Sequence, residues 1–237
     1  MRSVKDYAGV NLSDKPETDK SIFIWLDIVG FSDAVDNEER YGELSELLTK
    51  FQSLFNECND YNTNIISDGI ILQISTSMYP KFVSILNDIG DKQLEFICNN
   101  KYFIRGGIAL GTKLNNDKNG TFISNGLARA VKVEEKYVSW PIIGTEKKNI
   151  AELRTFFNTN NEEETFGLLQ GFNLRGEAIY FIDFLKESKK YYIILNDKIK
   201  EYEKSPSIQS KYIWLLRYYH HKYNANNLDE SLAEIIL

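Results

Sequence analysis

Residues 23–35 read FIWLDIVGFSDAV. Five of the first six side chains are apolar, the pattern of a buried strand, and the exception is Asp27. A carboxylate in such a run loses hydration that some partner must replace. Gly30 follows within three residues, so Asp27 falls where the strand gives way to a loop. The reading of the whole chain turns on whether a second carboxylate arrives at the same place.

Moving outward, residues 38–59 carry Tyr41, Leu44, Leu47, Leu48, Phe51, Leu54 and Phe55 at three- and four-residue steps, which predicts an amphipathic helix. NIISDGIILQIS (64–75) is two β-rich runs broken at Ser67-Asp68-Gly69 and predicts a hairpin. A second helix is expected over 80–99, with Phe82, Ile85, Leu86 and Ile89 inward. YFIRGGIALGTKL (102–114) reads as a strand whose Gly106 and Gly107 admit another backbone at close range. A helix from about 125 to 138 and a strand at WPIIGT (140–145) complete the set. Strand, helix, hairpin, helix, strand, helix, strand is close to the ferredoxin-like split βαβ arrangement, an α+β layer of helices on an antiparallel-rich sheet. There the first strand and the hairpin are neighbours, so Asp27 and Asp68 can meet at one sheet end. Two carboxylates beside a strand-end carbonyl suit hard divalent cations. A pair of such ions about 3.5–4 Å apart assists phosphoryl transfer. Asp27 as a helix cap and Asp68 as a plain Asp-Gly turn residue remain the alternative at this point.

Composition narrows the field. The chain has 237 residues and a net charge of −6, with a pI near 5.2. That acidity argues against a nucleic-acid coat or an anionic-lipid binder. No cationic segment leads into an apolar stretch, so no secretory signal is expected. No run reaches the roughly 18 apolar residues of a membrane span. Cys58 and Cys98, without metal-type spacing, fit a reduced, cytoplasmic protein. The adjacent His220 and His221 point about 100° apart on a helix and do not share a ligand easily. Residues 158–165 are a polar, acidic loop, and 176–203 and 206–223 read as two tyrosine-rich helices. The expected division is a flexible arm over 1–20, a catalytic domain over 21–146 and a mainly helical extension over 147–237.

Three motifs carry a family likeness. DIVGFS (27–32) resembles the Asp-Ile-x-Gly-Phe-Thr/Ser signature of class III nucleotide cyclases, IISDGIIL (65–72) their second metal motif with Ser67 in place of glycine, and FIRGGIALG (103–111) their Arg-x-Gly-Ile-x-x-Gly strand. The resemblance implies a class III cyclase domain in which Asp27, Asp68 and the carbonyl of Ile28 hold two Mg²⁺ or Mn²⁺ ions. It places the Phe31 segment against the substrate phosphates and gives Arg105 the neutralisation of triphosphate charge, which a guanidinium fork suits. The implied reaction is attack of a ribose 3′-oxygen on the α-phosphorus of a nucleoside triphosphate, with pyrophosphate leaving.

Departures from the pattern bear on the nucleotide. Purine cyclases place a base-reading lysine four residues before the second metal aspartate, where this chain has Asn64; their other base-reading residue falls near Thr121. Their transition-state asparagine and arginine align with Ala128 and Lys132, and a lysine supplies charge without a bidentate fork. ISNGLARAVKVEEKYVSWPII (123–143), with Glu134 and Pro141, resembles the pyrimidine cyclases of bacterial Pycsar anti-phage systems, which also carry a C-terminal helical extension. That likeness implies a uridylate or cytidylate cyclase producing cUMP or cCMP as a signal for a separate cyclic-nucleotide-responsive effector. Asn64 or Asn125 would read the pyrimidine edge, since an amide both donates and accepts. The family likeness also implies a homodimer with composite sites, the metals on one protomer and Lys132 reaching from the other. The competing readings are an adenylate cyclase with an unusual base pocket, and an inactive cyclase-fold module for dimerisation or nucleotide sensing.

Overall fold

The computed structural model describes residues 18–56, 58–114, 123–159, 161–186 and 188–223. The first strand, β1 (Thr18–Ile28), starts inside the segment expected to be an arm; residues 1–17 lie outside the described residues. On β1, Ile22, Ile24, Leu26 and Ile28 alternate toward one face, while Phe23, Trp25 and Asp27 take the other. Both faces are covered, which is why the run is apolar at nearly every position.

β2 (Asn62–Ile66) and β3 (Gly69–Ser75) form the expected hairpin, and β3 pairs antiparallel with β1. On the other side β1 pairs antiparallel with β4 (Ile104–Leu114). β4 runs parallel to β6 (Ile143–Glu146), and the short β5 (Ile123–Ser124) pairs with the far end of β4. Beyond β6 the sheet continues through β8 (Ala178–Phe181) to β7 (Leu169–Phe172), giving the order β2-β3-β1-β4-β6-β8-β7. The α+β fold class is as the sequence implies. The extension is less purely helical than expected. Residues 178–181 are strand rather than helix, because Ile179 and Phe181 bury themselves against the C-terminal helices while Tyr180 faces the other core.

One sheet face is covered by α2 (Tyr41–Asn56), α3 (Phe82–Asn100) and α5 (Lys147–Phe156), whose Leu44, Leu47, Phe51, Ile85, Ile89 and Leu153 meet the Ile22–Ile28 alternation. The other face takes α4 (Asn125–Tyr137). It lies very close to β4 because a side chain at Gly107 would fall 2.0 Å from the carbonyl oxygen of Ala130. Only glycine permits that approach. The C-terminal α6 (Lys189–Glu201) and α7 (Pro206–Tyr223) pack within the chain, with Tyr191, Leu195, Tyr212, Leu215 and Tyr219 buried among Phe103, Val133 and Phe181. α7 opens on a proline, whose missing N–H costs nothing at a first helical position. Trp214 stacks on Trp140, ring centroids 5.2 Å apart, and fixes α7 against the β7–β8 end. Among the described residues no helix is long and apolar enough to cross a membrane.

Candidate active site

Asp27 is the penultimate residue of β1. Its register partners are Gly69 on β3 and Arg105 on β4, and Asp68 immediately precedes Gly69. Backbone pairing alone therefore gathers Asp27, Asp68 and Arg105 at one end of the sheet. The hairpin closes tightly through Ser67, held at φ 56 in the left-handed region. That is a conformation glycine adopts freely and other residues only at a cost. Burial raises the Asp27 carboxyl to about 6, helped by the negative charge of Asp68 and opposed by Arg105 and by the N–H of Ile28.

The close approach of α4 completes the cluster. It carries Glu134 onto Arg105, where the two form an ion pair in a largely dry setting; Glu134 is 4% exposed. Burial pushes the Glu134 carboxyl up to about 7, partly offset by Arg105, with Asp27 and Glu135 adding to the rise. Arg105 also reaches to 3.8 Å from the Asp27 carboxylate. The guanidinium thus lies between two carboxylates contributed by a strand and a helix.

Asp27, Asp68 and Arg105 border a cavity of ≈ 500 Å³. Asp27, Ile28, Gly30, Asp68 and Arg105 form one wall, and Tyr202, Ile208, Lys211 and Tyr212, on and between α6 and α7, form the facing one. Gly30 sits at φ 78 with open space where a side chain would project. This loop lets a bulky anion approach the backbone. A shallower hollow of ≈ 600 Å³ between α2 and α3 is lined by Lys50, Lys92, Glu95 and amides, and lacks a carboxylate pair. Chemistry favours the first cavity.

The donor set fits divalent cations. Asp27 and Asp68 offer anionic oxygens whose mutual repulsion a cation would relieve, and the carbonyl of Ile28 is adjacent. Among the described residues no group of three or more His, Cys, Asp or Glu side chains has metal-binding geometry. A cation here would complete its shell with backbone, water and substrate oxygens, as Mg²⁺ commonly does.

No protein-family model and no curated protein sequence matches the chain. Solved structures do. The adenylyl cyclase CyaB from P. aeruginosa aligns over 75% of this chain and 99% of its own, at 11% identity and a TM-score of 0.51. A bacterial light-regulated adenylyl cyclase aligns over 77% of this chain and 99% of its own, at 12% identity and the same TM-score. The chain has the class III cyclase fold.

Within this cyclase fold the other expected residues disperse. Phe31 opens α1 (Phe31–Val35) with its ring in the main core, so only its backbone borders the loop. Asn64 stands on the edge strand β2, on the same face as Asp27 but in the row of Ile71 and Trp25, and it is not a wall of the cavity. Asn125 is engaged elsewhere in the chain. Its Oδ1 accepts the Thr112 N–H at 2.7 Å, and it lies nine residues from Glu134, about 13 Å along α4. Within one chain it is a helix-to-strand clamp far from the carboxylates. Lys132 is exposed on α4, away from the cavity. Its neighbour Arg129 is engaged with the Leu110 carbonyl, Asn149 and Glu152. Thr121 lies outside the described residues.

Two contributors went unassigned from the sequence. For Glu134 the sequence offers a position in the motif but no partner, its signal being a lone acid on the buried stripe of a helix. The α6–α7 wall had none beyond Lys211 standing beside the inward Tyr212.

Proposed function

We propose that this chain is a pyrimidine nucleotide cyclase that converts UTP or CTP to 3′,5′-cyclic UMP or cyclic CMP and pyrophosphate. The observation that carries the reading is the meeting of Asp27 and Asp68 at one sheet end, facing a cavity of nucleotide size in a class III cyclase fold. Asp27, Asp68 and the Ile28 carbonyl would hold two Mn²⁺ or Mg²⁺ ions. When bound, such ions supply charge neutralisation at the phosphates and acidify the ribose 3′-hydroxyl.

The remaining work falls to the chain's own groups. The Gly30–Phe31 backbone gives the phosphates room. Arg105, kept in place by Glu134, meets their negative charge with a planar fork. The 3′-oxygen forms a bond to the α-phosphorus while the bond to the β-phosphate oxygen breaks, and the hydroxyl proton passes to water. Preorganised charge supplies much of the acceleration. Lys132, exposed on α4, is free to serve the composite site of a homodimer partner. Asn64 on the base-facing side of the hairpin would read the pyrimidine edge across that interface. A division into a cyclase domain over 21–146 and an extension over 147–237 stays with this reading. So does a cytoplasmic role in anti-phage signalling through a separate effector.

Adenylate cyclase is the second reading, supported by the two solved structures described above, each of an adenylyl cyclase. Incubation of the full chain with Mn²⁺ and each of the four NTPs, read by mass spectrometry, separates the readings. Cyclic UMP or cyclic CMP is the expected product. A clean cyclic AMP product replaces the proposal with the second reading, and no cyclic product from any NTP leaves a non-catalytic nucleotide-sensing or dimerisation module.

A further inference from the structure

Among the described residues, three basic side chains line the cavity, Arg40, Arg105 and Lys211. Two are already engaged. Arg40 donates to Glu43 at 3.1 Å and to the Tyr102 hydroxyl at 2.5 Å. Arg105 lies between Glu134 and Asp27. Lys211 makes no hydrogen bond or ion pair among the described residues. It is nevertheless half-buried, and burial together with the nearby Arg105 guanidinium lowers its ammonium from the ordinary lysine value, with Glu134 only partly compensating. An ammonium drawn out of water beside another cation, with no acceptor of its own, is poorly solvated unless an anion joins it.

Its placement is fixed by packing rather than by chance. Tyr212, the next residue, is 5% exposed. Its ring stacks on Tyr202 at 5.7 Å and meets Phe103 edge-on at 5.0 Å. The carbonyl of Phe103 in turn accepts the N–H of Val29, in the loop that follows Asp27. A chain of contacts therefore ties the helix bearing Lys211 to the loop that follows Asp27. The result is a cavity with two acids on the sheet wall and an unpartnered cation on the helical wall.

We propose that Lys211 is a substrate-binding residue of this site, a phosphate-side counter-charge that the C-terminal helices supply in cis. The inference rests on the cyclase reading and deepens it: the extension is part of the nucleotide site rather than an appendage. A lysine is a compact point charge with three rotatable donors, suited to the terminal phosphates, which carry the most charge and need no bidentate geometry. Tyr212 is the positioning residue that holds it there.

The test uses the full chain and inorganic tripolyphosphate with Mn²⁺, titrated calorimetrically, beside Mn²⁺ alone. Lys211→Met should weaken tripolyphosphate binding by roughly tenfold or more, the range for a charged hydrogen bond to an anion. Binding of Mn²⁺ alone should stay within about twofold by the same reasoning, since no ligand is removed. Lys211→Arg should recover most of the loss, and in turnover the Met variant should raise KM more than it lowers kcat. Lys211→Gln, with melting temperature measured beside it, guards against a misfolded variant. Wild-type tripolyphosphate affinity in both uncharged variants would overturn the role of Lys211 and, if Asp27→Asn still loses binding, leave the cyclase reading standing. Equal loss of Mn²⁺ binding in Lys211→Met would also overturn it, by showing a structural effect. A wild-type chain that binds no tripolyphosphate at all would overturn both.

Discussion

The two walls of the cavity are built in different ways. On the sheet wall, Asp27, Asp68 and Arg105 are placed by strand register, so neighbours in space are tied to short stretches of sequence. On the helical wall, Lys211 and Tyr212 are placed by packing, α7 being held by a ladder of aromatic rings, and Glu134, behind Arg105, is placed by the glycine contact of α4 at Gly107. Register produces motifs that can be read locally. Packing leaves isolated residues whose meaning appears only when the helices are docked.

If that contrast is right, damage to the sheet wall should remove activity while sparing the fold, and damage to the helical wall should do more of the reverse. The largest effect is expected from Asp68→Ala. Cyclisation should fall by about 10³-fold or more, the scale of losing a transition-state electrostatic group. Melting temperature should change little, because Asp68 is a half-buried turn residue outside the core. Substantial residual cyclisation would break the comparison from one side. Tyr212→Ala probes the other side: removing a buried ring from the Phe103–Tyr202 contact should cost about 3 kcal/mol in a denaturant titration.

Smaller effects sharpen the contrast. The carboxyl of Asp27 is held above its unfolded value, so the cation-free fold takes up its proton more readily than the unfolded chain does. That contribution to stability is complete below about pH 4 and is lost as pH rises through about 6. Wild type should therefore lose melting temperature relative to Asp27→Asn between about pH 4 and 7, by an amount equivalent to about 1–2 kcal/mol. Added Mn²⁺ at neutral pH should restore wild type and leave the variant unchanged. The smallest effect is expected at the turn. Ser67→Gly removes a side chain from a left-handed position and should stabilise the chain by roughly 0.5–1 kcal/mol in a denaturant titration, with cyclisation retained.

The contrast also explains what could be read from the sequence. β1, the β2–β3 hairpin and β4 follow from short apolar, β-rich runs and an Asp-Gly turn, and the convergence of two acids follows from their adjacency in the sheet. Residues 178–181 read as helix in the sequence because AIYF is short, apolar and followed by tyrosine-rich sequence; only its pairing with β6 makes it a strand. Phe31 and Asn125 sit in recognisable motifs, yet one faces the core and the other clamps Thr112. A motif fixes where the backbone goes more firmly than where a given side chain ends up. Lys211 could not be placed from sequence, since nothing local relates α7 to a strand end almost two hundred residues earlier.

Manganese EPR on the full chain with a slowly cyclised NTP analogue tests the central claim most directly. The account predicts two bound, magnetically coupled Mn²⁺ ions per chain, and loss of that coupling in both Asp27→Asn and Asp68→Asn. Unchanged Mn²⁺ binding and coupling in either variant would contradict it.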